Sequence, residues 1–323
     1  SNCAPVRDRR SMLIRKKSAA MPSAICPMSS RPRIDALPRV AIFLSGSGSN
    51  AEVLLKRFAA SENPDYEIVV IVTDNPESSR AGELAEMFGL PLVSLSIRAF
   101  YRERGESRVS LATARGCEIR EEWTGELLKR LEDYQIDFGI FAGFVPLCNV
   151  PEAFPCLNVH PGDLTVTDAD GNRTLVGLHT LPVERAILSG FDYMRSSVMV
   201  VQKLENGGGN MDAGPLLGVS GKVAIDFCGH TLEELKHCAE QRPDKRPVGG
   251  YKDVLEEVAA HNQDRLKYAG DHVVLPRAAD FFARRYYRTD ESGEALYFSA
   301  HGEDFSPVVS IEFLASGEYR VIK

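Results

Sequence analysis

Continuous apolar runs, set between segments of helical periodicity, dominate the first half of the chain. An apolar run without alternation is typical of a strand that is buried on both faces of a parallel sheet. The runs cover residues 40–44, 67–72, 92–93 and 137–142, and helical segments begin at residue 51 and cover residues 81–88 and 121–134. This order predicts an α/β fold with an open, mostly parallel, Rossmann-like sheet and right-handed crossovers.

The pattern is less regular in the second half of the chain. Short strands are predicted at residues 157–161, 197–201 and 216–217, and helices at residues 182–188, from Thr231 onward and at 252–268. Residues 98–120 are polar without a clear period, which predicts an irregular insertion, and the glycine-rich residues 205–210 predict a mobile loop.

The end of the chain alternates between apolar and polar positions. The alternating stretches at residues 295–299, 308–314 and 319–322 predict a small antiparallel β appendage. Covering a sheet edge, binding a partner and forming a homodimer contact are the roles open to it.

Residues 1–36 differ in composition from the rest of the chain. They carry eight arginines and lysines against two aspartates, with serine, proline and methionine between them. This composition is typical of a transit peptide or another translated leader, and it predicts disorder. We therefore expect three parts: a leader or disordered segment at 1–36, a main domain at 37–268 and a small C-terminal β extension at 269–323.

The charge and the cysteine pattern narrow the class of protein. The net charge of −7 argues against a general nucleic-acid binder, which needs a basic surface. No apolar run is long enough to span a bilayer. The seven cysteines form no C-x-x-C pair, which argues against a disulfide framework or a zinc site and favours a reducing compartment. We expect a cytoplasmic protein that acts on small molecules and holds no metal ion.

A glycine- and serine-rich loop follows the first predicted strand. Ser45-Gly46-Ser47-Gly48-Ser49-Asn50 stands between that strand and the helix that begins at Ala51. Glycines let backbone amides approach an anion closely, and the positive end of the helix dipole then faces it. The loop lacks the Gly-Lys-Ser/Thr of a Walker A motif and a clear dinucleotide fingerprint. It predicts a phosphate site, with a plain flexible turn as the alternative.

Asn158 and His160 lie two residues apart in a short predicted strand that Pro161 terminates. Alternate residues of a strand point to one side, so the amide and the imidazole are predicted to lie together at the carboxyl edge of the sheet. Open α/β folds bind their ligands at that edge. An amide can stabilise an oxyanion, and an imidazole can carry a proton near neutral pH. The pair is a candidate catalytic site, with two backbone-satisfied turn residues as the alternative.

The order of four short motifs resembles that of the folate-dependent formyltransferases. The motifs are the loop at 45–50, Ala142-Gly143-Phe144, Leu157-Asn158-Val159-His160-Pro161 and Met211-Asp212-Ala213-Gly214-Pro215, with Gly177-Leu178-His179-Thr180 as a weaker fifth. The resemblance covers about residues 39–241 and is strongest to the branch that formylates glycinamide ribonucleotide (GAR). It implies formyl transfer from 10-formyltetrahydrofolate, the co-substrate, to the GAR amine in purine biosynthesis.

The resemblance also implies which residues form the site. Asn158, His160 and Asp212 correspond to the family's catalytic trio. By the same resemblance, the substrate phosphate is expected to bind Gly46, Ser47, Gly48, Ser49 and Asn50, and the substrate ribose is expected to bind Glu240. The folate pocket is expected to include Phe144, Val145, Pro146 and Leu147.

This chain departs from the family pattern around those motifs. His160-Pro161 is followed by Gly162-Asp163-Leu164-Thr165 and a longer loop to His179, and Met199 stands where the family often has histidine. Pro146 and Cys148 replace the usual residues beside the folate pocket. Two alternatives stay open: transfer to a different amine, such as an amino-sugar nucleotide, and hydrolysis of formyltetrahydrofolate.

Overall fold

The computed structural model of the protein describes residues 23–25, 36–204 and 211–323. Most of the predicted leader at 1–36 and the loop predicted at 205–210 lie outside the described residues. Among the described residues, no helix has the length and apolar character needed to cross a membrane.

Fifteen strands and eight α-helices are defined in the described ranges. The strands are β1 (Ser23–Ala24), β2 (Arg39–Phe43), β3 (Glu67–Thr73), β4 (Leu92–Ser94), β5 (Phe138–Phe141), β6 (Cys156–His160), β7 (Tyr193–Met194), β8 (Ser197–Val200), β9 (Leu216–Ser220), β10 (Val223–Ala224), β11 (Tyr287–Thr289), β12 (Leu296–Phe298), β13 (Ser306–Val308), β14 (Ser310–Phe313) and β15 (Tyr319–Ile322). The helices are α1 (Ser49–Ala60), α2 (Ala81–Phe88), α3 (Ile97–Glu103), α4 (Ala114–Leu131), α5 (Leu181–Leu188), α6 (Leu232–Glu240), α7 (Val254–Leu266) and α8 (His272–Ala283).

Nine of the strands form the central sheet, in the order β15-β14-β9-β8-β6-β5-β2-β3-β4. The run from β4 to β6 is parallel throughout, whereas β8 and β15 run antiparallel to their neighbours. The predicted α/β class and mostly parallel sheet are therefore confirmed. Apolar residues cover both faces, as the continuous runs require: Val40 and Ile42 pack into one core, and Ala41 and Phe43 into the other.

The stretch predicted as an irregular insertion is largely helical. The side chain of Ser96 accepts from the amide of Ala99 and caps α3, and Thr113 accepts from Gly116 and starts α4 seven residues before the predicted helix. The prediction for residues 98–120 was wrong because the helical periodicity here is carried by a few aromatic and aliphatic residues. Those side chains pack under the sheet, where Trp123 is fully buried.

The C-terminal strands divide between two sheets. Strands β11, β12 and β13 form a small antiparallel sheet, which β1 completes as an edge strand. Ser23–Ala24 therefore differ from the disorder expected for the first 36 residues. Strand β14, by contrast, pairs with β9 in the central sheet, and its Phe313 is fully buried. The predicted β appendage exists, but part of the segment after residue 268 belongs to the main core.

Candidate active site

The loops that carry the predicted site residues leave the same edge of the central sheet. Strands β2, β5 and β6 are parallel neighbours, so their carboxyl ends lie side by side. The Gly/Ser loop follows β2, the segment from Gly143 to Cys148 follows β5, and Pro161 follows β6. The amide of Ser45 donates to the carbonyl of Gly143 at 3.0 Å, which ties the first two loops together.

Strand β6 places Asn158 and His160 as its alternation predicts. Asn158 lies opposite Phe141 on one side and Met199 on the other, and His160 lies opposite Ser197. His160 is buried, with 4% of its surface exposed. Asn158 is half-buried, and its side-chain amide has no hydrogen-bond partner in the part of the chain that the structure describes. The amide of Asn158 is therefore available to a ligand.

Both ring nitrogens of His160 have a partner. Nε2 lies 2.8 Å from the carbonyl oxygen of Leu175, and because a carbonyl only accepts, Nε2 must carry the proton and donate. Nδ1 faces Oδ2 of Asp212 at 3.6 Å, which is an ion-pair separation and longer than a hydrogen bond. Nδ1 is therefore the nitrogen at which His160 gains or loses a proton.

The surroundings of His160 act on its pKa in opposite directions. Burial lowers the pKa, because the charged imidazolium is desolvated, and this is the largest effect. The nearby carboxylate of Asp212 and the hydrogen bond to Leu175 raise it, and the charge of Arg173 lowers it. The resulting pKa lies below the ordinary value, so the unliganded protein favours neutral His160 at neutral pH.

Asp212 lies in a short 3₁₀ turn, Met211–Ala213, that leads into β9. Its backbone is held from outside the turn, because the guanidinium of Arg173 donates to the carbonyls of Asp212 and Gly214. Gly214 is required here: a Cβ on it would lie 1.8 Å from the carbonyl oxygen of Val200. The turn is therefore packed against the end of β8.

Gly162 explains one departure from the family pattern. A Cβ at this position would lie 2.4 Å from the carbonyl oxygen of Leu175 and 3.0 Å from Nε2 of His160. Any larger residue would push that carbonyl away from the ring. Glycine directly after His160-Pro161 thus permits the hydrogen bond between His160 and Leu175.

The Gly/Ser loop has the form of a backbone anion site. Gly48 precedes α1 with φ of 68°, and a Cβ on it would lie 2.9 Å from the side chains of Leu44 and Leu84. Within the described structure, the amides of Gly46, Ser47 and Gly48 donate no hydrogen bond, and the first amides of a helix have no partner inside it. These amides are therefore free for an anion.

A partly buried carboxylate, that of Asp271, lies beside this loop. Oδ2 of Asp271 accepts from Nδ2 of Asn50 at 3.1 Å, and Oδ1 accepts from the hydroxyl of Ser196 at 2.5 Å. Ser196 directly precedes Ser197, the strand partner of His160, so Asp271 connects the Gly/Ser loop to the start of β8. Burial raises the pKa of Asp271, while the hydrogen bonds from Ser196 and Asn50 oppose that shift.

Glu240 has a different environment from the one expected of it. It lies at the end of α6 with 73% of its side chain exposed, 3.7 Å from His237, and in the described structure it forms no hydrogen bond or ion pair with the Gly/Ser loop. The carboxylate that does contact the loop, Asp271, was missed because it follows the last predicted helix. In the structure, Asp271 ends a π-helical turn, Lys267–Asp271, between α7 and α8. Such turns are frequent at functional sites.

The four residues predicted for folate divide into two kinds. Val145 and Leu147 are exposed, 76% and 39%, whereas Phe144 and Pro146 are buried. Phe144 stacks on Trp123 with ring centroids 6.4 Å apart, so it supports the loop from beneath. The backbone of this loop is also held, because the amide of Val145 donates to the hydroxyl of Ser45 at 2.9 Å.

Ser45 in turn donates to a buried carboxylate, Asp74. Burial raises the pKa of Asp74, and the hydrogen bond from Ser45 opposes that shift. Arg120 donates to the carbonyl of Leu147 at 2.5 Å from within the core. These buried polar contacts fix the path of the loop that presents Val145 and Leu147.

One group of side chains in the described ranges has ligand atoms close enough for a metal ion. Asp226, Cys228 and His261 have ligand atoms within 4.8 Å of one another, and all three residues are exposed. Nε2 of His261 lies 3.2 Å from Asp226, so these two side chains already pair with each other. None of the three touches the residues around His160.

The sheet order and the loops at its carboxyl edge define this protein as an α/β protein with the formyltransferase fold. Its structure is similar to phosphoribosylglycinamide formyltransferase from Anaplasma phagocytophilum, with 20% identity, a TM-score of 0.50, and coverage of 83% of this chain and 96% of that one. It is also similar to the phosphoribosylglycinamide formyltransferase from Coxiella burnetii, with 18% identity, a TM-score of 0.51, and coverage of 84% and 96%.

Sequence comparison gives a narrower match. A segment of 138 residues, 42% of this chain, is 28% identical to the trifunctional purine biosynthetic protein adenosine-3 of Drosophila pseudoobscura pseudoobscura. The chain spans 9% of the length of that protein. No family model matches the chain.

Proposed function

We propose that this protein transfers the formyl group of 10-formyltetrahydrofolate to the amine of GAR, a step of purine biosynthesis. The observation that carries the proposal is the meeting of His160, Asp212 and the unpartnered amide of Asn158 beside an anion-binding loop. The fold supports it, since solved structures of GAR formyltransferases share it.

The chemistry assigns a role to each residue of the trio. The amine nitrogen attacks the formyl carbon, a tetrahedral oxyanion forms, and the bond from that carbon to the folate nitrogen then breaks. The Asn158 amide donates to the oxyanion. Nδ1 of His160 accepts the proton that the amine loses, and the carboxylate of Asp212 stabilises the resulting imidazolium. That proton then passes to the departing folate nitrogen, so the step is balanced.

The acceptor is assigned from the groups around the Gly/Ser loop. Free amides at the start of α1 suit the phosphate of a ribonucleotide. We assign the ribose hydroxyls to Asp271 in preference to Glu240, because Asp271 contacts Asn50 of the loop. The exposed Val145 and Leu147 are assigned to the folate, which needs an apolar surface for its ring.

The test is a comparison of acceptors with one donor. Formyl transfer from 10-formyltetrahydrofolate is followed by the folate absorbance with GAR, a 4-amino-sugar nucleotide, charged initiator tRNA or water alone as acceptor. We expect activity with GAR and none with the tRNA or water. A kcat/KM at least about tenfold higher for the sugar nucleotide, worth about 1.4 kcal/mol of transition-state binding, would reject GAR and keep formyl transfer. Formate release without an acceptor would instead indicate a hydrolase.

A further inference from the structure

The longer loop after His160-Pro161 forms a compact β-hairpin, which we call the 163–176 hairpin. Thr167 and Arg173 pair across it, and the amide of Asp168 donates to the carbonyl of Asn172 at 2.9 Å near its turn. The carboxylate of Asp168 closes the turn by accepting from the amides of Asp170 and Asn172. The hairpin is therefore an ordered element with its own hydrogen bonds.

This hairpin contacts both members of the proposed acid–base pair. On one side of Thr174, the guanidinium of Arg173 donates to the carbonyls of Asp212 and, at 2.9 Å, of Gly214. On the other side, the carbonyl of Leu175 accepts from Nε2 of His160 at 2.8 Å. A three-residue stretch on one side of the hairpin, residues 173–175, thus holds both the turn that carries Asp212 and the ring of His160.

We propose that the 163–176 hairpin sets the geometry of the His160–Asp212 pair, with Arg173 as its positioning residue. The proposal rests on the proposed function insofar as that pair is catalytic. Arg173 reaches the backbone on both sides of Ala213 and leaves the Asp212 carboxylate free to face Nδ1 of His160. It acts through Asp212 and does not itself handle the transferred proton.

The two carbonyl contacts demand a guanidinium. Arginine presents several N–H donors in a rigid planar fork, so one side chain can satisfy two carbonyls in fixed directions. A lysine in the same place keeps the charge but offers a single flexible ammonium. Replacement by lysine therefore separates the effect of the fork from that of the positive charge.

The hairpin is anchored independently of Arg173. Nη1 of Arg185, on α5, donates to the carbonyl of Val176 at 2.5 Å. The absence of a side chain at Gly162 lets Leu175 approach His160, and the amide of Leu164 donates to the hydroxyl of Ser197 at 3.0 Å. Substitution of Arg173 should therefore loosen the Asp212 turn more than the hairpin itself.

The experiment uses Arg173→Lys and Arg173→Met in the full chain, with Arg265→Met as the matched control. Arg265 also donates to a backbone carbonyl, that of Ala224 at 2.8 Å, but it lies on α7 and has no contact with the proposed site. For each variant we would measure kcat, the KM for GAR and the nitrogen-15 NMR titration of the His160 ring, assigned with His160→Gln.

Both Arg173 variants are expected to lower kcat by about 10- to 100-fold with little change in KM, because a small misplacement of catalytic groups costs that much. In Arg173→Lys, the His160 titration should move to lower pH, because a loosened Asp212 stabilises the imidazolium less. Arg265→Met should match the parent. Unchanged kcat and an unchanged His160 titration in Arg173→Lys, even with a lower melting temperature, would overturn the positioning role.

The NMR titration needs no substrate, so it separates this proposal from the proposed function. If the parent protein formylates no acceptor, the proposed function fails. The shift of the His160 titration between the parent and Arg173→Lys then still shows whether Arg173 positions Asp212 relative to His160. If the parent is active and the shift is absent, the positioning role alone is lost.

Discussion

Nδ1 of His160 lies 3.6 Å from Oδ2 of Asp212, while Nε2 of the same ring is committed to the carbonyl of Leu175. This relationship leaves one nitrogen for proton transfer and places a carboxylate next to it. His160 is thereby both oriented and restricted to one tautomer when neutral.

The first prediction concerns Asp212→Asn. The amide is nearly isosteric, and the contacts of the turn are made by its backbone, so the fold should be kept. Without the carboxylate, the imidazolium that forms during transfer loses its stabilisation, and kcat should fall about a hundredfold or more. Turnover is measured with saturating donor and acceptor, alongside circular dichroism. A rate within a few-fold of the parent would remove Asp212 from the mechanism.

The second prediction is a pH dependence with a definite sign. Burial lowers the pKa of His160, so the acid limb of kcat/KM should lie below about 6.5, with activity falling as the pH drops through that pKa. Asp212 raises the pKa of His160, so Asp212→Asn should move the limb to still lower pH. The substrate amine titrates identically in both proteins, so the difference between the two profiles isolates His160. A limb that moves upward in the variant would contradict the assignment.

The third prediction compares two glycines of the anion loop. A Cβ on Gly46 meets open space, so Gly46→Ala should fold normally and raise the KM for GAR by crowding the phosphate. A Cβ on Gly48 meets Leu44 and Leu84 at a positive φ, so Gly48→Ala should lower the free energy of unfolding by about 1–3 kcal/mol.

Substrate KM and urea unfolding would be measured for both glycine variants, with Ser47→Ala as the control. Ser47 is exposed, and its backbone amide survives the substitution, so that variant should resemble the parent. An unchanged KM in Gly46→Ala would argue against a phosphate at this loop.

The fourth prediction distinguishes two carboxylates. Asp271→Asn should raise the KM for GAR about tenfold or more with a smaller effect on kcat, because a charged hydrogen bond to a hydroxyl contributes roughly 1.5–3 kcal/mol. Glu240→Gln should change neither constant, since its side chain is exposed and apart from the loop. Steady-state kinetics on both variants distinguishes the two carboxylates. A raised KM for GAR in Glu240→Gln with an unchanged KM in Asp271→Asn would assign the ribose site to Glu240.

The fifth prediction tests whether β14 belongs to the main core. Phe313 is fully buried, and its ring centroid lies 5.0 Å from that of Phe281 on α8. Phe313→Ala should lower the free energy of unfolding by about 3–5 kcal/mol in a single transition. Val309 is 47% exposed, so Val309→Ala should stay within about 0.5 kcal/mol of the parent. A separate, early transition in Phe313→Ala would indicate an independent C-terminal unit.

The parallel sheet could be predicted from the sequence because its strands are buried on both faces. That burial demands uninterrupted apolar runs, and such runs are visible at 40–44, 67–72 and 137–142. The position of Asn158 and His160 on one side of β6 could likewise be predicted, because successive side chains of a strand point in opposite directions. Helices α3 and α4 were missed in part because few apolar residues mark their periodicity.

The features that can be inferred from the sequence alone are thus local: the strands, the order of the motifs and the residue types at the carboxyl edge of the sheet. The groups that meet there from distant parts of the chain are known only from the folded arrangement. Asp271 reaches Asn50 across 221 residues of sequence, and Arg173 reaches the turn of Asp212 from the 163–176 hairpin. Such contacts depend on how helices and loops pack, and neither periodicity nor spacing records that packing.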